Sequence, residues 1–356
     1  MKLSDLGEDG FLERVRARMP RPGPQVKLGI GDDAAALVIP SGEQALVSTD
    51  VMVEGVHFTR RTLPPRFVGR KAVAINVSDI AAMGGQPVAV LLSLATPLDT
   101  GVGELLELFD GLIARAGELG LDLVGGNLSS SLGPIVLDVT VVGATRKGRL
   151  LPRSGARAGD AIYVSGKLGA SAAGLSLLND GMVFSASGGL VVPSALRGGP
   201  LPLAEQCLNA HMEPEPRVEL GKFLCERGIA SACIDLSDGL ARDLNRLCAA
   251  SDVGSRINET ALPIHPGVLA WERFKKKSPL EVALSGGEDY ELLFTTRKEE
   301  RLEKWRTEFE VPLTRIGEVT KASEGVLLVT LEGGTRALEP AGWDHFRMRP
   351  TGERHE

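Results

Sequence analysis

No stretch of this 356-residue sequence approaches the roughly eighteen consecutive apolar residues of a membrane-spanning helix, so membrane partners are not expected. Basic blocks are missing too. With a formal net charge of −6 and no dense run of Lys and Arg, a nucleic-acid surface is disfavoured. The start, Met1-Lys2-Leu3-Ser4-Asp5, leads into acidic residues and has no apolar signal segment, so a secretory leader is not expected. Cysteine is scarce. Cys207, Cys225, Cys233 and Cys248 lack CxxC spacing and make no disulfide framework in so long a chain, so they read as reduced packing residues in a cytoplasmic protein. Aromatic residues are only 4% of the chain, which leaves few rings to meet a ligand. Small molecules remain as the expected partners.

What is present is an ordinary globular composition, 43% hydrophobic and 24% charged, in a chain long enough for two cores. From residue 26 to about 143, strand-like runs at 45–49, 87–95, 121–124 and 135–142 alternate with helical patterns at 67–83 and 103–119. Residues 147–159 turn to Arg, Lys, Gly and Pro, as a connector does. Beyond it, strands are expected at 161–165, 232–235, 291–295, 313–319 and 326–331, and helices at 217–227, 240–250 and 297–310. Residues 181–202, rich in Gly, Ser and Pro, read as a mobile loop. The expected fold class is therefore α/β of the α+β type, with an N-terminal domain at 1–148 and a second α/β domain at 149–356 that completes the active site.

The acidic residues fall at turn-like clusters: Gly31-Asp32-Asp33, Ser48-Thr49-Asp50, Ser78-Asp79, Asp235-Leu236-Ser237-Asp238 and Gly286-Gly287-Glu288-Asp289. Each one alone is ordinary turn or helix-cap vocabulary. Together they suit Mg²⁺, a hard cation that takes oxygen ligands, keeps several waters and is commonly shared with phosphates. Ser48-Thr49-Asp50 follows the apolar run Ala45-Leu46-Val47 and is expected where a strand ends and a ligand crevice opens. Gly29-Ile30-Gly31-Asp32-Asp33-Ala34 matches a loose dinucleotide fingerprint, but its carboxylates would repel a pyrophosphate unless a cation lay between them. The Gly-Lys-Leu at 166–168 has the wrong spacing for a P-loop and no Ser or Thr after the Lys. Phosphate chemistry bridged by metal is the leading reading.

In order along the chain stand Gly-Ile-Gly-Asp-Asp-Ala-Ala at 29–35, Ser-Thr-Asp at 48–50, Gly-Val-His-Phe at 55–58 and Asn-Val-Ser-Asp-Ile-Ala-Ala-Met-Gly at 76–84. Asp-Leu-Ser-Asp-Gly-Leu at 235–240, Gly-Gly-Glu-Asp-Tyr-Glu-Leu at 286–292 and Gly-Trp-Asp-His-Phe at 342–346 follow. This series resembles the thiamine-monophosphate kinase family, within the superfamily of aminoimidazole ribonucleotide synthetase and selenophosphate synthetase. The resemblance implies an N-terminal mixed-sheet domain that pairs its sheet in a homodimer, and phosphorylation of thiamine monophosphate by ATP with several Mg²⁺ ions.

Carried over motif by motif, the resemblance implies Asp33, Ser48, Thr49, Asp50, Asp79, Asp235 and Asp238 as metal ligands, with Asp50, Asp79 and Asp235 at the centre of catalysis. Gly125, Gly126, Arg153 and Ser237 are implied as nucleotide contacts, and His57, Glu288 and Trp343 as contacts to thiamine monophosphate. Asn127 departs from the family pattern, which places Asp there. Its carbonyl oxygen remains a metal ligand by type but brings no charge. Two other readings stay open: a different ATP-dependent reaction of the same superfamily, and a nucleotide-binding protein with reduced turnover.

Overall fold

The computed structural model describes residues 1–30, 34–184, 189–271, 278–343 and 346. The chain divides into two compact units, one of Met1–Ala81 with Gly85–Arg149, the other of Ala82–Gly84 with Leu150–Glu356.

The first unit opens with α1 (Leu3–Arg16) and the short pair β1 (Val26–Leu28) and β2 (Ala36–Leu37). Then come β3 (Glu43–Val53), α2 (Pro65–Ala82), β4 (Gln86–Thr96), α3 (Val102–Glu118), β5 (Asp122–Ser130) and β6 (Val136–Arg146). The four long strands form one mixed sheet in the order β3-β6-β4-β5, antiparallel except for the parallel β4–β5 pair. Two glycines let α2 and α3 approach at backbone contact. A Cβ on Gly69 would lie 2.0 Å from the Leu108 carbonyl oxygen, and one on Gly111 would lie 1.9 Å from that of Arg66. Helix α2 covers one face of the sheet, where Ile80 fills the space that the bare Gly143 leaves on β6.

In the second unit β7 (Ala161–Ser165), α4 (Ala170–Asn179), β8 (Val183–Phe184), β9 (Leu190–Val191), α5 (Leu201–Met212) and α6 (Val218–Glu226) come first. They are followed by β10 (Ala232–Asp235), α7 (Leu240–Ser251), β11 (Val253–Asn258), α8 (Pro266–Ala270), α9 (Pro279–Ser285) and β12 (Leu292–Thr296). The last elements are α10 (Glu299–Trp305), β13 (Leu313–Lys321), β14 (Val326–Val329) and β15 (Thr335–Ala337). The seven-stranded sheet runs β10-β12-β7-β13-β11-β14-β15, with β11–β14 its parallel pair. Its central strands are buried on both faces. Ile162, Val164 and Ile234 enter one apolar cluster, whereas Ala161, Tyr163, Cys233 and Phe294 enter another. That is why 161–164 and 232–234 are continuous apolar runs with no alternation.

Several expectations are corrected. The Ser48-Thr49-Asp50 step lies in the middle of β3, because backbone pairing with β6 continues to Val53↔Val136. Gly125, Gly126 and Asn127 likewise lie inside β5, not beyond the end of a strand. The segment 181–202 holds the β8–β9 pair, a 3-10 turn at Ser194–Leu196 and the start of α5; residues 185–188 lie outside the described residues. The charged helix expected at 297–310 is shorter, Glu299–Trp305 followed by a 3-10 turn. All four cysteines are buried, as packing residues are, and burial pushes the Cys207 thiol up to about 12.

Candidate functional site

Because successive strand residues point to opposite faces, Ser48, Asp50 and Met52 of β3 share one side of the sheet while Val47, Thr49 and Val51 share the other. Met52 is buried, yet Val47 is 68% and Val51 46% exposed, so the second side is open on β3. The Ser48 hydroxyl donates to Asp79 Oδ2, which brings the β3 and α2 motifs together across 31 residues of sequence. Asp50 stands on the same side and is exposed. Thr49 does not join them. Its hydroxyl donates to Asp138 Oδ1 at 2.7 Å and lies 3.1 Å from Thr140 Oγ1, both on β6 and both on the open side.

Asn127 is on the open side too. It stands beside Ser93 of β4, which stands opposite Asp138 of β6, which stands opposite Val51 of β3. Three strand spacings of ~4.8 Å separate β5 from β3, about 14 Å. Within one chain, therefore, Asn127 cannot share a metal with Asp50, since Mg–O bonds are only about 2.1 Å. Gly126 has a packing reason of its own: a Cβ there would lie 1.9 Å from the Leu92 carbonyl oxygen. Gly125 next to it has room for a Cβ, whose nearest neighbour is Leu91 Cδ2 at 3.5 Å. At the end of β3, His57 Nδ1 accepts the Val53 N–H at 3.0 Å. A backbone N–H only donates, so Nδ1 is unprotonated and the ring proton sits on Nε2. Asp33 lies outside the described residues.

In the second unit Asp235 closes β10 and is buried, directly opposite Leu292 of β12. The ladder goes on past both strands. Leu236 N–H donates to the Glu291 carbonyl, Tyr290 N–H to Leu236, and Glu288 N–H to Ser237. To stay in reach, Gly287, Glu288 and Tyr290 adopt φ of 71°, 58° and 50°, a left-handed conformation that costs non-glycine residues on the order of 1 kcal/mol or more each. Side-chain anchors hold the loop in this shape. Asp289 accepts the Gly169 N–H with both oxygens, at 3.1 and 2.9 Å, at the start of α4. Burial pushes its carboxyl up to about 7, against the lowering pull of the Gly169 and Ser171 N–H groups. Glu291 takes Arg217 at 2.7 and 2.5 Å and the Ser165 hydroxyl at 2.5 Å. Burial favours the neutral guanidine, but the Glu291 carboxylate outweighs it and holds Arg217 above its ordinary value.

Asp238, expected as a metal ligand, already meets Arg246 at 2.6 Å and Arg242 at 3.7 Å. Its carbonyl accepts the Trp343 N–H at 3.1 Å, and Arg242 Nη1 donates to the Trp343 carbonyl, so the closing motif is fastened beside the Asp235–Asp238 turn. Behind them burial pushes the Asp243 carboxyl up to about 6, while the Asp238 N–H it accepts and Arg246 pull it down. Arg153 is exposed, and its carbonyl accepts from Ser251 Oγ at 3.0 Å. Sequence reasoning missed His211, Ser171, Arg217, Arg242, Arg246 and Asp138. The one signal available was position: Arg217 follows the turn-forming Pro214-Glu215-Pro216, and Arg242 and Arg246 lie one and two helical turns after Asp238.

Among the described residues no group of three or more His, Cys, Asp or Glu stands close enough to hold a metal ion. Comparison with known proteins adds the chemistry that the separate units leave open. The family described as AIR synthase related protein, N-terminal domain, matches residues 31–145, and its C-terminal domain matches 157–330. The thiamine-monophosphate kinase of Bacillus subtilis (strain 168) is 37% identical over 324 residues, covering 90% of this chain and 94% of that protein. That of Escherichia coli (strain K12) is 36% identical over 342 residues, covering 96% and 98%. The solved structure of AaThiL complexed with AMPPCP and TMP matches with a TM-score of 0.72 at 34% identity, covering 97% of this chain and 99% of that one.

Proposed function

The chain belongs to the thiamine-monophosphate kinase family, and from that premise we infer that it transfers the γ-phosphoryl group of ATP to thiamine monophosphate, giving thiamine diphosphate and ADP. The observation that carries this is a relationship of 36% identity over 96% of the chain to an enzyme of that name.

The donor chemistry of these residues fits magnesium. Ser48, Asp50 and Asp79 offer only oxygens on one side of the first sheet, and Asp235 ends a strand in the second unit. That no three acidic groups converge among the described residues is no obstacle, since Mg²⁺ is commonly held by one or two carboxylates, with waters and substrate phosphates filling the rest. We assign Asp50, Asp79 and Asp235 as principal metal ligands, and Asp33, Ser48 and Asp238 as further ones. Thr49 and Asn127 stand on the open side, three strand spacings apart, and within one chain serve two separate positions. Bound there, several Mg²⁺ ions would screen the repulsion between donor and acceptor phosphates, roughly 4 kcal/mol per unit pair at ~4 Å and an effective dielectric of 20.

The remaining roles follow from the acceptor's chemistry. A phosphate monoester has a second pKa near 6, so its attacking oxygen is mostly ionised at neutral pH and needs no general base. The protein's own work is to position and to balance charge. Gly125, Gly126, Arg153 and Ser237 are assigned to the nucleotide, Arg153 as the exposed cation among them. His57, with its proton on Nε2, is a neutral donor for the acceptor phosphate. Trp343 offers an indole face to the cationic thiazolium, worth ~0.5–2 kcal/mol. Glu288 completes the acceptor's set. A homodimer is supported by the exposed Val47 and Val51 on β3, an outer strand of its sheet, and by the family. A cytoplasmic location is supported by cysteines that pack as buried apolar residues. Among the described residues no helix is long and apolar enough to cross a membrane.

The test is an assay of thiamine diphosphate formation from ATP, Mg²⁺ and thiamine monophosphate. Free thiamine, whose hydroxyl is not ionised, should react far more slowly; equal rates for the two acceptors would rule out transfer to a ready-made anion.

A further inference from the structure

Glu288 stands on a left-handed backbone, φ 58°, between residues that are themselves held, and its carboxylate meets a histidine that the reaction as described above does not use. His211, in the last turn of α5, is 3% exposed. Its Nδ1 lies 3.3 Å from Glu288 Oε2 and 3.1 Å from Ser171 Oγ. The two helices that bring it there touch at backbone distance: a Cβ on Gly174 of α4 would lie 2.0 Å from the Cys207 carbonyl oxygen of α5 and 3.1 Å from His211 Cβ. Ser171, one turn before Gly174, thereby reaches the imidazole with its hydroxyl while its N–H serves the neighbouring Asp289.

We propose that His211 is the positioning residue for Glu288, fixing the direction in which that carboxylate meets thiamine monophosphate. An ionised carboxylate only accepts hydrogen bonds, so the proton between the two groups belongs to His211 Nδ1. One nitrogen cannot both donate to Glu288 and accept from Ser171, so the Ser171 oxygen is a second acceptor for the same N–H. The arrangement selects the Nδ1–H tautomer, the opposite of the one selected at His57. A long glutamate chain that would otherwise sample many rotamers is thus ordered before the substrate arrives, and substrate affinity gains what that ordering would have cost. The proposal rests on the assignment of Glu288 to the acceptor.

Steady-state kinetics of the full chain separate the two ideas, with thiamine monophosphate varied at saturating ATP and Mg²⁺. His211→Gln, whose amide falls at the Nε2 position and not at Nδ1, is expected to raise KM for thiamine monophosphate about tenfold, the loss of one hydrogen bond to a charged group, with kcat and KM for ATP little changed. His211→Asn, whose Nδ2 N–H stands where the Nδ1 N–H stood, should recover most of the loss. In the double variant of His211→Gln with Glu288→Gln the two effects should not add. A wild-type KM in His211→Gln, an equal rise in KM for ATP, or additivity in the double variant overturns the proposal while leaving Glu288 at the acceptor. If Glu288→Gln itself leaves KM for thiamine monophosphate unchanged, the assignment beneath it falls, and the proposal with it. Should His211→Gln not fold, ¹⁵N NMR of the wild-type chain decides: a proton on Nδ1 of His211 is expected, and a bare Nδ1 overturns the arrangement.

Discussion

In the first unit Ser48 and Asp50 stand on a strand paired with β6 from Glu43↔Arg146 to Val53↔Val136, whereas in the second Glu288 stands on a loop with three residues at positive φ. The strand sets the direction of its side chains by its backbone ladder, with Ser48 also on Asp79 and Thr49 on Asp138, and the neighbours of Asp50 on the open side are exposed. The loop is ordered by side chains: Asp289 on α4, Glu291 on Arg217, Glu288 on His211. A regular element carries charge with little help, while a strained one carries it only as long as buried partners hold it. Substitutions on β3 should therefore damage chemistry and spare folding, and substitutions under the loop should damage both.

The comparison breaks most visibly at Arg217. Glu291 is 5% exposed and takes two hydrogen bonds from that guanidinium, so Arg217→Ala leaves a buried carboxylate without its counter-charge. A loss of about 3 kcal/mol of stability is expected, read as a lower denaturant midpoint at unchanged slope. Arg217→Met with Glu291→Leu should recover part of it, because an apolar pair leaves no orphaned charge. Wild-type stability in Arg217→Ala would mean the loop does not depend on its anchors.

On the strand the opposite outcome is expected. Asp50→Asn and Asp79→Asn should each lower turnover at least about 100-fold, some 2.7 kcal/mol of transition-state stabilisation, with the denaturant midpoint unchanged. Near-normal turnover at limiting Mg²⁺ would return either residue to a structural role.

A smaller effect sharpens the contrast through pH. Burial raises the Asp289 carboxyl from 3.8 to about 7, so the folded chain holds a proton there that the unfolded chain has lost. The stabilisation is complete below about pH 4 and is lost as pH rises through about 7. The melting temperature of the wild type should fall more between pH 5 and 8 than that of Asp289→Asn, which has nothing to ionise at that position. Equal slopes would mean that Asp289 is ionised throughout.

How much of this was legible follows the same division. Long periodic elements such as α2, β4 and α7 could be read because one face or both are apolar, and the acidic motifs could be read because they recur beside Gly and Ser. Strand period alone separates Thr49 from Ser48 and Asp50 once the run continues through them. Helix α4 was hidden by its Gly, Ala and Ser, chosen for the close approach of α5 at Gly174. The anchors of the loop were hidden for another reason. Nothing in Glu288 or Tyr290 announces a positive φ, since the residue types that favour it are Gly and Asn, and His211 is distant from Glu288 in sequence.

Asn127 gives the smallest expected effect and the finest test of the strand. It lies on the open side of β5, about 14 Å by strand spacing from the Asp50 position, so any metal it meets is not the one proposed for Asp50 within the same chain. Asn127→Asp adds a charged oxygen where a neutral one stood, and the Mg²⁺ concentration for half-maximal rate should fall by a few-fold at saturating ATP. The background set by Asp50 and Asp79 should not move: in Asp79→Asn the added carboxylate at 127 should give no rescue of turnover, because the two positions serve different ions. Direct Mg²⁺ or Mn²⁺ binding, followed by calorimetry without turnover, should show one class of site tightened and the other unchanged. If Asn127→Asp leaves the Mg²⁺ requirement as it was, position 127 touches no metal, and the open side of the sheet is left to Thr49 and Asp138 as a hydrogen-bonded surface.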